Sequence, residues 1–257
     1  VLDEIRNFIR KPDDRKAWDG NRFQSPTSSR FNDWHFWKKP VPGHTYSVGS
    51  DIASAGHVGT YTTAAVLDAD TGEIVARCRT RIEAYTWGHQ LAAISKRYNR
   101  ALVVPEANNF GSATISCLKN EHPSVRLYTR RKYKGAAREG GYHDKGFLTA
   151  AGTKSVLVGQ FQAAVHDGRI CIYDEALWEE MKDYVEYALD RPGMHGYGPA
   201  AGCDDILMGA MLAYEGTKQL DHVRAVLGSP VKKDPMMAAI MDSRDKGKKK
   251  PKDQAWD

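Results

Sequence analysis

The strongest constraint in this 257-residue chain is a change of period. Three strand-like segments, residues 45–53, 60–67 and 73–81, follow one another closely, and from Thr86 the apolar residues take up helical spacing. In the first segment Tyr46 and Val48 alternate with Ser47 and Gly49, as in a strand with one buried face. Asp68-Ala-Asp-Thr-Gly72 then supplies hairpin-turn residues between the second and third segments, so the three form an antiparallel meander.

Downstream, Thr86 is expected to cap a helix through Arg100, with Trp87, Leu91, Ile94 and Tyr98 on one face. Residues 101–105 read as a short buried strand ending at Glu106, followed by a helix to about Asn120 and a strand over 125–128. Thr153 is expected to cap a helix to His166, residues 169–173 to form a strand, and 175–189 an amphipathic helix. A last apolar helix over 203–214 carries Gly209, Ala210 and Ala213, small enough to lie close to a sheet. The expected class is α/β, a mixed central sheet of three antiparallel strands then parallel strands, flanked by helices. Residues 1–44 read as an irregular lead-in or interdomain linker, with Trp18, Phe23, Phe31, Trp34, Phe36 and Trp37 packing onto the main domain of 45–220. Residues 221–257 read as a basic, disordered tail.

No apolar run reaches the length of a membrane span, and the first residues do not resemble a signal peptide, which points to the cytosol. A net charge of +5 permits an anionic partner such as nucleic acid. Cys78, Cys117, Cys171 and Cys203 show no short Cys-x-x-Cys spacing, which argues against both a zinc site and a disulfide framework.

Three acidic positions stand at matched places: Asp51 near the end of the first strand, Glu106 at the end of the fourth, and Asp204-Asp205 at the start of the last helix. Carboxylates brought together there would repel and raise one another's pKa values unless cations compensate. Oxygen ligands without a His or Cys cluster favour Mg2+ or Mn2+, and two such ions suit phosphodiester cleavage. Of the paired acids, Asp205 is expected to be the primary ligand, with Asp204 capping the helix or joining a second site. Asn108 and Asn109 are candidates to orient Glu106 or contact phosphate, and Lys154 a candidate phosphate contact. Arg130, Arg131, Lys132, Lys134 and Arg138 form a basic cluster suited to the DNA backbone. His57, in the glycine-rich turn after Asp51, is given no role.

This order of elements and acids resembles the ribonuclease H-like fold, and more closely the carboxyl-terminal nuclease domain of the large terminase subunit of tailed phages. The resemblance rests on Val48-Gly-Ser-Asp-Ile-Ala, Pro105-Glu-Ala-Asn-Asn-Phe-Gly, Gly146-Phe-Leu-Thr with Thr153-Lys154, and Cys203-Asp-Asp-Ile-Leu-Met-Gly-Ala. It implies a metal-dependent endonuclease that cuts double-stranded concatemeric DNA during genome packaging, with Asp51, Glu106 and Asp205 (or Asp204) as ligands of two divalent ions, Mg2+ or Mn2+. It also implies an ATPase domain in the same full-length protein, portal and small-terminase partners, and a place in the host cytoplasm, transiently at the procapsid portal. No Gly-x-x-x-x-Gly-Lys-Ser/Thr occurs here, so nucleotide-driven pumping is not expected of this stretch. Other readings of the same acids are a resolvase-type nuclease or a non-catalytic DNA-binding scaffold; an actin-like or sugar-kinase ATPase would need a duplicated core.

Overall fold

The computed structural model describes residues 2–26, 33–54, 61–108, 110–130, 145–188 and 195–227. After a short helix α1 (Leu2–Arg6), the stretch expected as an irregular lead-in instead forms three strands, β1 (Asp14–Trp18), β2 (Phe23–Gln24) and β3 (Asp33–Phe36). They extend the sheet because β3 pairs antiparallel with β6 (Glu73–Thr80), Trp34 lying opposite Cys78. The aromatics do pack as expected. Trp34 stacks on Trp87 with ring centroids 5.9 Å apart, and its indole N–H donates to Gln90 Oε1 at 2.9 Å. Phe31 lies outside the described residues.

The meander follows as β4 (Tyr46–Asp51), β5 (Thr62–Asp68) and β6, antiparallel in register Asp51↔Thr63 and Thr63↔Arg79. Helix α2 (Ala84–Arg97) comes next; its cap is Glu83 rather than Thr86, the carboxylate accepting the N–H groups of Tyr85 and Thr86. Strand β7 (Leu102–Pro105) then pairs parallel to β4, completing a seven-stranded sheet in the order β2-β1-β3-β6-β5-β4-β7. The expected strands at 125–128 and 169–173 are reduced to single parallel bridges, Val103↔Leu127 and Glu73↔Cys171.

Helix α3 (Gly111–Glu121) packs with α2 over one face of the sheet, around Val48, Ile52, Trp87, Leu91 and Leu118. Helices α4 (Ala151–His166), α5 (Glu175–Lys182) and α6 (Asp205–Leu227) cover the other face, around Leu67, Val104, Leu157, Phe161, Leu177 and Met211. Thr153 does stabilise the start of α4, but from inside its first turn, where its hydroxyl accepts the Ala150 N–H at 2.8 Å. The helix expected over 175–189 stops at Lys182, and β8 (Tyr184–Ala188) pairs instead with β9 (His195–Pro199) as a separate hairpin. Tyr184, Val185 and Tyr187 are as well suited to a strand as to a helix, and the pairing decides.

Helix α6 is the element that makes the site possible. A Cβ on Gly49 would lie 2.0 Å from Ala213 N and 2.2 Å from Gly209 O, so glycine at position 49 lets the helix backbone rest on β4. The helix begins at Asp205, with the Asp204 carbonyl accepting its first bond from Met208 N–H, and continues past the expected end at Tyr214 into the first residues of the presumed tail. The rest of that tail, 228–257, is outside the described residues. Among the described residues no helix is long and apolar enough to cross a membrane.

Candidate metal centre

Asp51 and Glu106 leave the ends of neighbouring parallel strands, and the Glu106 N–H donates to Ser50 O at 2.8 Å, which continues the ladder to the carboxylates themselves. Asp51 carries a pKa well above the usual carboxylate range: burial is the main cause, followed by the charge of Glu106 and a hydrogen bond shared with it, then Asp205 and Asp204. Neighbouring carboxylates disfavour one another's ionisation, and a cation bound between them relieves that repulsion.

The second pair arrives on α6. Thr63, opposite Asp51 in the ladder, donates its hydroxyl to Asp205 O at 2.5 Å and holds the helix start beside the strand ends. Asp205 is pushed up to about 6, by burial first and by Asp204, with Arg79 opposing. Its Oδ2 is buried and has no hydrogen-bond partner. A buried carboxylate oxygen with nothing to accept from is costly, and a cation is the partner that fits an all-carboxylate set. Asp204, at the cap position, turns its Oδ2 toward Lys154 Nζ at 3.4 Å.

Around these acids sit groups that fix them. Asn108 Nδ2 donates to Glu106 Oε1 at 3.1 Å and to Thr149 O at 2.8 Å, so the amide ties Glu106 to the chain entering α4. Lys154, half-buried, is therefore placed at the centre, paired with an acid, rather than out in solvent. Asn109, Arg131, Lys132, Lys134 and Arg138 lie outside the described residues, as does the glycine-rich turn of 55–60 with His57. Arg130 is described and half-buried.

Two further residues escaped the sequence reading. Glu180 on α5 is 8% exposed, accepts the Leu207 N–H at 2.8 Å and is pushed up to about 7, chiefly by burial and also by Asp205 and Asp204. Arg79 on β6 stands one strand beyond Thr63, 3.8 Å from Glu180, and is the cation that moderates Asp205 and Glu180. The signal for Glu180 was its place three residues after Leu177, on the buried face of α5. Arg79 gave none, because its partners come from two other elements.

Elsewhere among the described residues, two groups bring three ligating atoms within 4.8 Å of one another: His89, Cys117 and His122, and His44, Asp68 and Asp70. In the second, Asp68 and Asp70 already accept turn N–H groups, Asp70 at Asp68 Oδ1 and Thr45 at Asp70 Oδ2, and His44 Nδ1 lies 2.7 Å from Asp68 Oδ2. That group is a satisfied hairpin network.

No family model and no curated protein matches this sequence. Solved structures do match in fold. The large terminase nuclease from thermophilic phage G20c with bound magnesium superposes at a TM-score of 0.58 and 19% identity, over 83% of this chain and 95% of that one. The same nuclease with bound cobalt gives 0.58 at 19% identity, over 83% and 95%. The Thermus phage P74-26 large terminase nuclease domain gives 0.56 at 20% identity, over 83% and 93%. The chain therefore has the ribonuclease H-like α/β fold of these nuclease domains.

Proposed function

We propose that this chain is a divalent-metal-dependent DNA endonuclease of the large-terminase type, which hydrolyses phosphodiester bonds of double-stranded concatemeric viral DNA during genome packaging. The observation that carries this reading is the convergence of Asp51, Glu106, Asp204 and Asp205, electrostatically coupled at one end of the sheet. The fold shared with large terminase nucleases supports it.

Asp51 and Asp205 would hold one Mg2+ or Mn2+ ion, with Glu106 and Asp204 completing a second position. Two ions at such a site supply a nucleophilic water at neutral pH and charge stabilisation for the leaving oxygen. The chain's own residues do the rest. Asn108 fixes the rotamer of Glu106, Thr63 fixes the start of α6, and Arg79 limits repulsion around Asp205. Lys154 is positioned to exchange its bond to Asp204 for a phosphate oxygen of the DNA. Arg130, with the basic residues that follow it, would track the DNA backbone, where cations suffice without base geometry. By the same reading an ATPase domain of the full-length protein, the portal and the small terminase are the partners, and the host cytoplasm the location.

Plasmid cleavage tests the proposal. The purified chain should nick or linearise plasmid with Mn2+ or Mg2+, stop with chelator, and lose cutting in Asp51→Asn while circular dichroism stays unchanged. Cutting by a folded Asp51→Asn at the parental rate would refute it. Charge reversal at Arg130 and Arg131 should weaken DNA binding and flatten its dependence on salt.

A further inference from the structure

Cysteine spacing in the sequence gives no zinc motif, but folding brings two histidines to one of the cysteines. Helix α2 supplies His89, α3 supplies Cys117, and His122 follows as the residue that caps α3. His89 Nδ1 lies 2.8 Å from His122 Nε2 and 4.0 Å from Cys117 Sγ. Ligand atoms around a tetrahedral zinc ion, at about 2.0–2.3 Å from the metal, stand roughly 3.3–3.7 Å apart. These two separations straddle that spacing, the three ligand atoms all lie within 4.8 Å of one another, and the two half-buried imidazoles can adjust by a few tenths of an ångström.

The close approach is built into the helix packing. A Cβ at Gly88 would lie 2.6 Å from Cys117 Sγ, so glycine next to His89 is what lets the sulfur reach it. Cys117 is fully buried, whereas both histidines border a cleft of about 800 Å3 that leads to solvent. Glu121 Oε2 stands 3.8 Å from His89 Nε2, the ring nitrogen left over when Nδ1 ligates. A carboxylate there orients a ligating imidazole. The group is also distant from the acidic centre: α3 separates His122 from the Glu106 end of the site by 11 residues, about 16 Å.

We propose that His89, Cys117 and His122 bind a divalent transition-metal ion of the zinc class, distinct from the ions of the acidic centre, and that this ion pins α2 to α3. Nitrogen and sulfur donors select borderline metals, and they discriminate against Mg2+, which the carboxylates prefer. Binding forms one metal–sulfur and two metal–nitrogen bonds; the Cys117 thiol proton passes to buffer, and the fourth position stays open to solvent.

Titrating the metal-free full chain with Co2+ tests this, since only a thiolate ligand produces a sulfur-to-cobalt charge-transfer band. The band should saturate at one equivalent and disappear when Zn2+ displaces the cobalt. It should persist in Asp51→Asn and in Cys203→Ser, which excludes a band from Cys203, the thiol beside Asp205 at the acidic centre. It should vanish in Cys117→Ser and in His122→Gln; the second variant, at a partly exposed helix end, decides the matter if the first does not fold. Absence of the band in the parent, its loss in Cys203→Ser, or its survival in folded Cys117→Ser or His122→Gln would overturn the proposal.

Discussion

Thr63 donates its side-chain hydroxyl to the main-chain carbonyl of Asp205 at 2.5 Å while pairing with Asp51 across the β4–β5 ladder. One residue thus couples the strand that presents the first acid to the helix that presents the last. Thr63 and Asp205 are 142 positions apart in the chain, and the alignment of strand and helix depends on this bond and on the backbone contact at Gly49.

Thr63→Val keeps the volume and removes the hydroxyl. It should lower stability by about 1 kcal/mol in urea denaturation. Because the lost bond positions Asp205, Mn2+ affinity measured calorimetrically should fall more than that suggests, on the order of 10-fold. Unchanged affinity would mean that β4 packing alone sets the start of α6.

Gly49→Ala places a methyl 2.0 Å from Ala213 N, against backbone that cannot turn aside. The expected cost is roughly 3 kcal/mol, with loss of metal binding as α6 lifts. Gly152→Ala is the matched control: nothing lies within 4 Å of its new Cβ, inside α4, so it should leave stability unchanged or raise it by up to about 1 kcal/mol.

Asp51→Asn removes one charge from a mutually repelling group. Without metal the variant should melt at or above the temperature of the parent, and the rise in melting temperature that Mn2+ gives the parent should shrink or disappear. A clear drop in the metal-free melting temperature would show that the carboxylate is held by the protein rather than poised for a cation.

Glu180 sets a pH dependence. Its pKa stands near 7 against an ordinary 4.5, so the folded state favours the protonated acid; this contribution is complete below pH 4.5 and is lost as pH rises through 7. Glu180→Gln should therefore stabilise the metal-free protein at pH 8, by up to about 3 kcal/mol, and have little effect at pH 4. Paired urea titrations at the two pH values measure this difference.

Much of this architecture was legible along the chain. The meander, the strand ending at Glu106 and the small residues of α6 follow from local period and residue size, and these fix where each acid must emerge. What was missed shares one cause. The strands of residues 14–36 exist because β3 finds β6, some forty positions away, and the 184–199 hairpin exists because its two arms find each other; neither leaves a local period distinct from its alternatives. Glu180 and Arg79 matter only through neighbours on other elements, and the His89, Cys117 and His122 group is invisible to spacing rules because its members span two helices.

The sequence by itself determined the order of elements and the positions of Asp51, Glu106, Asp204 and Asp205 at their ends, since backbone period and capping chemistry act over a few residues. Only the tertiary structure decided that Asp204 meets Lys154 while the buried Oδ2 of Asp205 is left without a hydrogen-bond partner, because that choice rests on how α6 lies against β4 and β5.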